Sequence, residues 1–85
     1  MHDTDAIRRG HPIADVAAAS GLELRQTGGR LTAVCPFHGD GRPSLVIYPA
    51  SQSYYCFGCG AGGDVIDFMS RLHRVDFREA VALLA

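Results

Sequence analysis

The sequence predicts an α+β fold in which short antiparallel strands in the middle of the chain are flanked by helices at both ends. Apolar residues recur at helical spacing near the two ends, whereas they alternate with period two in between. A chain of 85 residues is long enough for one small domain. We expect this single domain to span residues 1–85, with helices at about 4–20 and 64–84 and the strands at about 22–60.

Two short helices are predicted at the N-terminal end. Asp3 and Thr4 can accept hydrogen bonds from the first amide groups of a helix, and Gly10 can end it. A second helix is expected to open with Pro12 at its first position and to end near Gly21. Both helices therefore have start and stop signals of their own.

The apolar pattern changes to period two from Leu22, which is typical of strands. Gly28 and Gly29 suit a hairpin turn, and residues 49–52 suit a second turn. Because side chains alternate between the two faces of a strand, residues of one parity are expected to be buried. The strands after the first turn are expected at 30–34, 44–48 and 53–56, with Leu31, Ala33, Leu45, Ile47 and Tyr54 as the buried set.

Two further helices are predicted at the C-terminal end. Asp64 with Asp67, and Asp76 with Glu79, have the spacing of residues that cap the first turn of a helix. Apolar residues at helical spacing follow each pair, and we expect them to pack into the core. These residues are Val65, Phe68, Met69 and Leu72 in the first helix, and Phe77, Ala80, Val81 and Leu84 in the second.

Three cysteines and a histidine fall into two pairs with the spacing of metal ligands. Cys35 and His38 form one pair, and Cys56 and Cys59 form the other. A tight turn at each pair can direct both side chains at one ion, and three thiolates with one imidazole suit tetrahedral Zn²⁺. Four protein ligands leave no position for water, so we expect one structural Zn²⁺. Such an ion contributes about 10–16 kcal/mol, enough to decide whether a short chain folds.

Other uses of the same cysteines fit the sequence less well. A disulfide framework suits an even number of cysteines and a secretory signal, whereas this chain has three cysteines and a charged start. A redox dithiol at Cys56 and Cys59 lacks the βαβ pattern of thioredoxin-like proteins. A zinc deaminase needs glutamate two residues after the histidine and proline before the cysteine pair, where this chain has Asp40 and Tyr55.

Composition restricts the class of protein. Hydrophobic residues make up 47% of the chain, as in globular proteins, and no apolar stretch is long enough to span a membrane. Reduced thiols at a zinc site favour the cytoplasm. The formal net charge of −1 gives no general support for nucleic-acid binding. However, all eight basic residues are arginine, whose guanidinium group can bind phosphate or stack on bases at a local site.

Motifs along nearly the whole chain follow the pattern of one family. They are Ile7-Arg8-Arg9-Gly10, Ile13-Ala14-Asp15-Val16, Cys35-Pro36-Phe37-His38, Pro43-Ser44-Leu45, the glycine-rich block from Tyr54 to Asp64, and Phe77-Arg78-Glu79-Ala80-Val81. Together they resemble the N-terminal zinc-binding domain of bacterial and phage DNA primases. The resemblance implies a ribbon-like antiparallel sheet that carries zinc. It also implies recognition of single-stranded template DNA beside a separate, Mg²⁺-dependent catalytic domain, so we expect no primer synthesis from this chain alone.

Strand alternation places candidate nucleic-acid-binding residues on the sheet face opposite the buried set. Aromatic side chains there can stack bases, and arginine can meet phosphate. A neighbouring loop supplies one further arginine, and Arg25 is an additional candidate. The candidate residues are Arg30, Thr32, Arg42, Tyr48 and Tyr55.

Two functions remain open at this point. The first is a module that binds single-stranded DNA and works with a primase catalytic domain in cis or in trans, with a replicative helicase as a further partner. The second is a zinc-stabilised interaction module that docks on a polymerase, helicase or primase without touching DNA. The near-neutral charge favours the second, as does Gly29 at a position where the family often has a basic residue. A zinc enzyme is disfavoured by the closed ligand set.

Overall fold

One antiparallel sheet and helices at both chain ends make up the computed structural model, which describes residues 3–37 and 43–85. Within these two ranges the strands follow one another in the sheet in chain order. The predicted α+β fold is confirmed. The elements are α1 (Thr4–Gly10), α2 (Ile13–Ala19), β1 (Arg25–Thr27), β2 (Arg30–Ala33), β3 (Leu45–Tyr48), β4 (Ser53–Cys56), β5 (Gly62–Gly63), α3 (Val65–His73) and α4 (Phe77–Leu84).

The register of the sheet aligns one residue of each strand in a row across its width. Arg25 pairs with Thr32, and Val46 pairs with both Thr32 and Tyr55. Gly62 pairs with Tyr55 and completes the row at the edge of the sheet. Directly paired residues of antiparallel strands point to the same face. The five residues therefore belong to one continuous surface.

The opposite face of the sheet carries the core, as strand alternation predicts. Leu31 is half-buried there, and the other members of the predicted set are buried. Helix α3 packs against β4 and β5, and the ring of its Phe68 meets the ring of Tyr54 edge-on at 5.5 Å between centroids. The buried sheet residues are Ala33, Leu45, Ile47, Tyr54 and Cys56.

The two C-terminal helices pack against each other through most of the predicted apolar residues. One expectation is wrong: Phe77 is 50% exposed. It is the first residue of α4, and helical side chains lean toward the N-terminus, so its ring points beyond the packed part of the helix. Leu72 is half-buried against the core. The buried members are Val65, Phe68, Met69, Ala80, Val81 and Leu84.

Aspartate residues cap three of the helices where the sequence predicts caps. The Asp3 carboxylate accepts hydrogen bonds from the amides at the start of α1, and Asp76 accepts from the Glu79 N–H. Asp64 and Asp67 form a reciprocal capping box at α3. Helix α2 differs, because Pro12 lies one position before the helix rather than at its first position. The first amide of α2, at residue 13, donates instead to the Gln52 side chain at 2.9 Å.

The segment after α2 begins its strand later than predicted. The Leu22 N–H donates to Ala17 O and the Gly21 N–H to Ala18 O, the bond pattern that closes a helix through a left-handed residue. Gly21 supplies that residue with φ +93°. The backbone N–H of Leu22 is therefore used to close α2, and pairing in the sheet starts only at Arg25. Among the described residues no helix is long and apolar enough to cross a membrane.

We expect Asp64→Ala to lower the free energy of unfolding by about 2 kcal/mol, since a cap and an ion pair are lost together. One carboxylate oxygen accepts from the Ile66 and Asp67 amides at 2.9 and 3.0 Å, and the other accepts from Arg8 Nε at 2.7 Å. Asp64→Asn keeps a capping oxygen and loses only the charge, so it should cost less. Urea unfolding at neutral pH measures both.

The same carboxylate makes stability dependent on pH. Burial acts to raise the pKa of Asp64, but hydrogen bonds from the Asp67 amide and the Arg8 guanidinium outweigh it and hold the pKa below its usual value. A lowered pKa means that this stabilisation is present above about pH 4 and is lost as the pH falls further. Asp64→Asn should therefore lose less stability on acidification than the unchanged protein. Equal losses would contradict the assignment.

Candidate metal centre and nucleic-acid interface

Three thiols meet at one end of the sheet. The Sγ atoms of Cys35, Cys56 and Cys59 all lie within 4.8 Å of one another, and Cys35 and Cys59 are 4.0 Å apart. Sulfur atoms at about 2.3 Å from a tetrahedral Zn²⁺ would lie roughly 3.8 Å from each other. A disulfide would need about 2.0 Å. The donor set therefore fits one zinc ion, while His38, the predicted fourth ligand, lies outside the described residues.

Backbone hydrogen bonds fold each cysteine segment toward the shared site. The Cys56 N–H donates to Ala61 O at 2.7 Å and the Gly60 N–H to Cys56 O at 2.8 Å, which closes a tight turn after β4. Gly60 has φ +79°, a conformation that glycine adopts without strain. At the other segment, the Phe37 N–H donates to Cys35 Sγ at 3.4 Å. Amides directed at sulfur stabilise a thiolate.

The Cys35 thiol is harder to ionise than an ordinary cysteine in the absence of a cation. Burial raises the pKa of the Cys35 thiol to about 12; the Phe37 amide opposes the shift, and the neighbouring thiols at Cys56 and Cys59 add to it. Cys35 and Cys56 are buried, whereas Cys59 is exposed. A bound divalent cation reverses this balance, because thiolates are the form that ligates metal. The arrangement therefore suits a metal site better than three independent thiols.

Four of the five predicted nucleic-acid-binding residues lie on one face of the sheet. Arg30 and Tyr55 are exposed, and Thr32 and Tyr48 are partly so. The Arg30 guanidinium carbon lies 5.7 Å from the centre of the Tyr48 ring, within the range of a cation–π contact. The fifth residue, Arg42, lies outside the described residues. Strand parity thus grouped these side chains correctly, although their role in binding stays a prediction.

Sequence reasoning missed two residues that shape this face. Phe57 is 68% exposed, and its ring meets the Tyr55 ring edge-on at 4.8 Å between centroids. Gly62 provides room for the tyrosine: a Cβ there would lie 3.0 Å from Tyr55 Cδ1. The sequence does contain a signal for the exposure of Phe57, because the residue lies between two cysteines of a tight turn. A side chain in such a turn projects away from the core.

A groove of about 700 Å³ runs beside the face toward the thiol cluster. Arg25 and Thr32 line it from the sheet, and Cys35 and Pro36 line it from the first cysteine segment. The exposed face and the metal centre are therefore joined by one continuous surface.

The chain matches known proteins over its whole length. A family model described as the CHC2 zinc finger matches residues 1–85. The chain is 45% identical over 73 residues to a DNA primase of Pseudomonas putida, covering 86% of this chain and 11% of that protein. It is 44% identical over 84 residues to the DNA primase of Mycobacterium tuberculosis, covering 98% and 13%. It therefore spans only a small part of the length of these relatives.

A solved structure agrees with the sequence matches. The crystal structure of the Aquifex aeolicus primase (zinc binding and RNA polymerase domains) superimposes with a TM-score of 0.88 at 40% identity. The match covers 100% of this chain and 21% of that one. An identity of 40% supports a shared family as well as a shared fold. The chain belongs to the CHC2 zinc-finger family and is a zinc-binding domain of the DNA primase type, with one Zn²⁺ as its cofactor.

Proposed function

We propose that this chain is the template-binding module of a DNA primase. In this proposal Cys35, His38, Cys56 and Cys59 hold the Zn²⁺, and single-stranded DNA lies across the exposed sheet face. One observation supports the DNA contact most strongly, namely the grouping of side chains on that face. Arg30 lies over the Tyr48 ring, and the exposed rings of Tyr55 and Phe57 contact each other.

The ligand set is supported by the donors present. Three thiols within 4.8 Å supply three tetrahedral positions, and His38 follows Cys35 at the spacing of a zinc-binding pair. With all four positions filled by protein the ion has no water to activate, so its role is to hold the two cysteine segments together. The module then performs no catalysis itself. Primer synthesis would require a catalytic domain, in cis or in trans, and a replicative helicase is a further expected partner.

The sheet face offers two stacking positions. Tyr55 pairs with Val46, and Tyr48 lies two residues further along β3, so the two tyrosines are diagonal neighbours about 7–8 Å apart at their backbones. Adjacent bases of an extended strand can cover this span. Each stacked base contributes roughly 1–3 kcal/mol without regard to its identity, while Arg30 can contact a phosphate. Such a face binds single strands with little sequence preference.

The charge of the chain limits the strength of this binding. The net charge is −1, so only local arginines can neutralise phosphates. Arg30 on the face and Arg25 in the adjoining groove are two such residues. Since each contacted phosphate of a single strand contributes about −0.7 to the slope of log K against log salt, we expect a shallow slope near −1.4.

The test is the affinity of the zinc-loaded chain for a short single-stranded oligonucleotide at low salt. Arg30→Ala with Tyr55→Ala should weaken binding by about ten- to a hundredfold, through loss of one stacked base and one phosphate contact. Phe77→Ala with Arg78→Ala is a matched control, because it also removes an exposed aromatic ring and an exposed arginine, but from α4. Fluorescence anisotropy measures both.

The proposal fails if the sheet variant and the α4 control bind DNA equally and if the same sheet variant, placed in the full-length primase, makes primers at the normal rate. Weak binding by the unchanged chain is compatible with it, since one small module can depend on its catalytic partner for affinity.

A protein-docking function is the second candidate. Phe77 and Leu83 on α4 are both about half exposed, which leaves apolar surface away from the sheet face. Docking there would be insensitive to salt and to changes at Arg30 and Tyr55. The α4 control variant would then lose the partner while the sheet variant kept it, so one pair of variants separates the two functions.

A further inference from the structure

A second groove lies at the open edge of the sheet, away from the exposed face. It has a volume of about 430 Å³, within the range of small-ligand sites, and is lined by β4, β5, α3 and Phe37 of the first cysteine segment. Asp67, Ser70 and Arg71 line it from α3, and Arg74 lines it from the C-terminal cap of that helix. The first three are spaced three and four residues apart, which places them in one stripe along the helix. Two arginines therefore flank one groove.

The charges of Arg71 and Arg74 are not paired with a carboxylate in the described part of the chain. Among residues 3–37 and 43–85 neither Arg71 nor Arg74 forms an ion pair, in contrast to Arg8. Asp67 is the one carboxylate that lines the groove, and it is directed at the start of α3, where it accepts the Asp64 N–H at 3.0 Å. The groove thus keeps a net positive charge that nothing in the described chain neutralises.

Tyr54 lines the groove and carries a buried hydroxyl. Tyr54 is 2% exposed, and its hydroxyl has no hydrogen-bond partner within the described chain. Burial raises the pKa of this hydroxyl, and the nearby Arg71 guanidinium opposes the shift. Buried polar groups are nearly always paired, and an acceptor bound in the groove would pair this hydroxyl.

The backbone conformation of Arg74 is a second observation that favours a functional role for this groove. It caps the C-terminal end of α3 in the left-handed conformation, with φ +56° and ψ +48°. Glycine is the usual residue there because a side chain is strained in this conformation. An arginine at this position costs stability, and this residue lines the groove. Strain of this kind is retained where the side chain has a use.

We infer that this groove binds a phosphate group of a nucleotide, with the guanidinium groups of Arg71 and Arg74 as its charged donors and the Tyr54 hydroxyl as a neutral one. Guanidinium groups match phosphate oxygens in bidentate geometry, and the hydroxyl supplies a hydrogen bond to the same oxygens. The groove shares Gly62 with the exposed sheet face, but its arginines belong to the segment of α3 and its C-terminal cap, so the inference does not depend on the function proposed above.

Binding is measured on the zinc-loaded chain by amide chemical shifts, with inorganic triphosphate, ATP and a short oligothymidylate as three separate probes. The expected result is saturable shifts around residues 70–74 with at least one probe. Saturation by ATP and triphosphate identifies a free nucleotide, and saturation by the oligothymidylate alone identifies the backbone of a strand. No saturable shift at these residues with any probe would overturn the inference.

Two variants separate a binding role from a structural one. Tyr54→Phe and Arg74→Gly should each weaken binding, by roughly tenfold for the arginine, while the thermal unfolding midpoint stays unchanged or rises. Loss of an unpaired hydroxyl and relief of a left-handed side chain are both favourable for folding. Arg78→Ala on α4 is the matched control and should bind normally. Unchanged affinity in both variants would also overturn the inference.

Discussion

Replacing Cys56 by serine, or removing zinc with a chelator, is expected to abolish cooperative folding of this domain. Cys56 is fully buried at the end of β4, where it pairs with Leu45 and carries the turn that brings Cys59 to the site. A structural zinc contributes about 10–16 kcal/mol, whereas whole domains are stable by only about 5–15 kcal/mol. Loss of the ion therefore removes most or all of the net stability. Thermal unfolding followed by circular dichroism, with bound zinc quantified in parallel, measures the effect.

A control at the same place distinguishes zinc loss from local damage. The Ser44 hydroxyl lies 3.5 Å from Cys56 Sγ but is not a ligand candidate, so Ser44→Ala should keep zinc and unfold cooperatively, with a loss of about 1 kcal/mol. Cys59→Ser should lose zinc as Cys56→Ser does, although Cys59 is exposed and its side chain contributes little to the core. A chelated protein that still unfolds in one sharp transition would rule out the structural role.

The parts of the fold that could be predicted are those that local chemistry decides. Strand β4 was predicted at its observed bounds, Ser53 to Cys56. The strand pattern stops at Cys56 because the residues that follow it form the tight turn of a ligand pair. The cap at Asp64 was predicted from a carboxylate spacing that acts within one helical turn. The meeting of Cys35 with Cys56 and Cys59 was predictable for a similar reason: ligand spacing within each predicted pair is a local property, and one shared ion requires the two pairs to lie together.

What could not be predicted depends on contacts between distant segments. The exposure of Phe77 depends on where α4 packs, and the late start of β1 depends on a hydrogen bond from Leu22 to the preceding helix. Strand β5 consists of two glycines, whose composition indicates a loop. They pair with Tyr54 and Tyr55 because the turn after Cys56 returns the chain alongside β4. Glycine carries no side-chain signal for that pairing.

Gly63 of this strand is the position where we expect the largest effect outside the metal site: Gly63→Ala should lower the free energy of unfolding by about 2–4 kcal/mol. Its φ is +149°, which side-chain-bearing residues rarely adopt. A Cβ there would lie 2.6 Å from Asp67 Cβ and 2.7 Å from Asp67 Cγ, and would also meet Asp67 Oδ2. Asp67 cannot move away without breaking the capping box of α3. Urea unfolding of the zinc-loaded variant measures the loss.

Two comparisons identify the cause of that loss. Gly29→Ala lies in the first hairpin turn, where an added Cβ has no neighbour within 4 Å, and should change stability by less than about 0.5 kcal/mol. In an Asp67→Ala background the clash disappears, so Gly63→Ala should cost less there than in the unchanged protein; only the strain from its positive φ remains. An equal cost in both backgrounds would mean that the clash with Asp67 is not what excludes a side chain, and that backbone conformation alone requires glycine at the edge of this sheet.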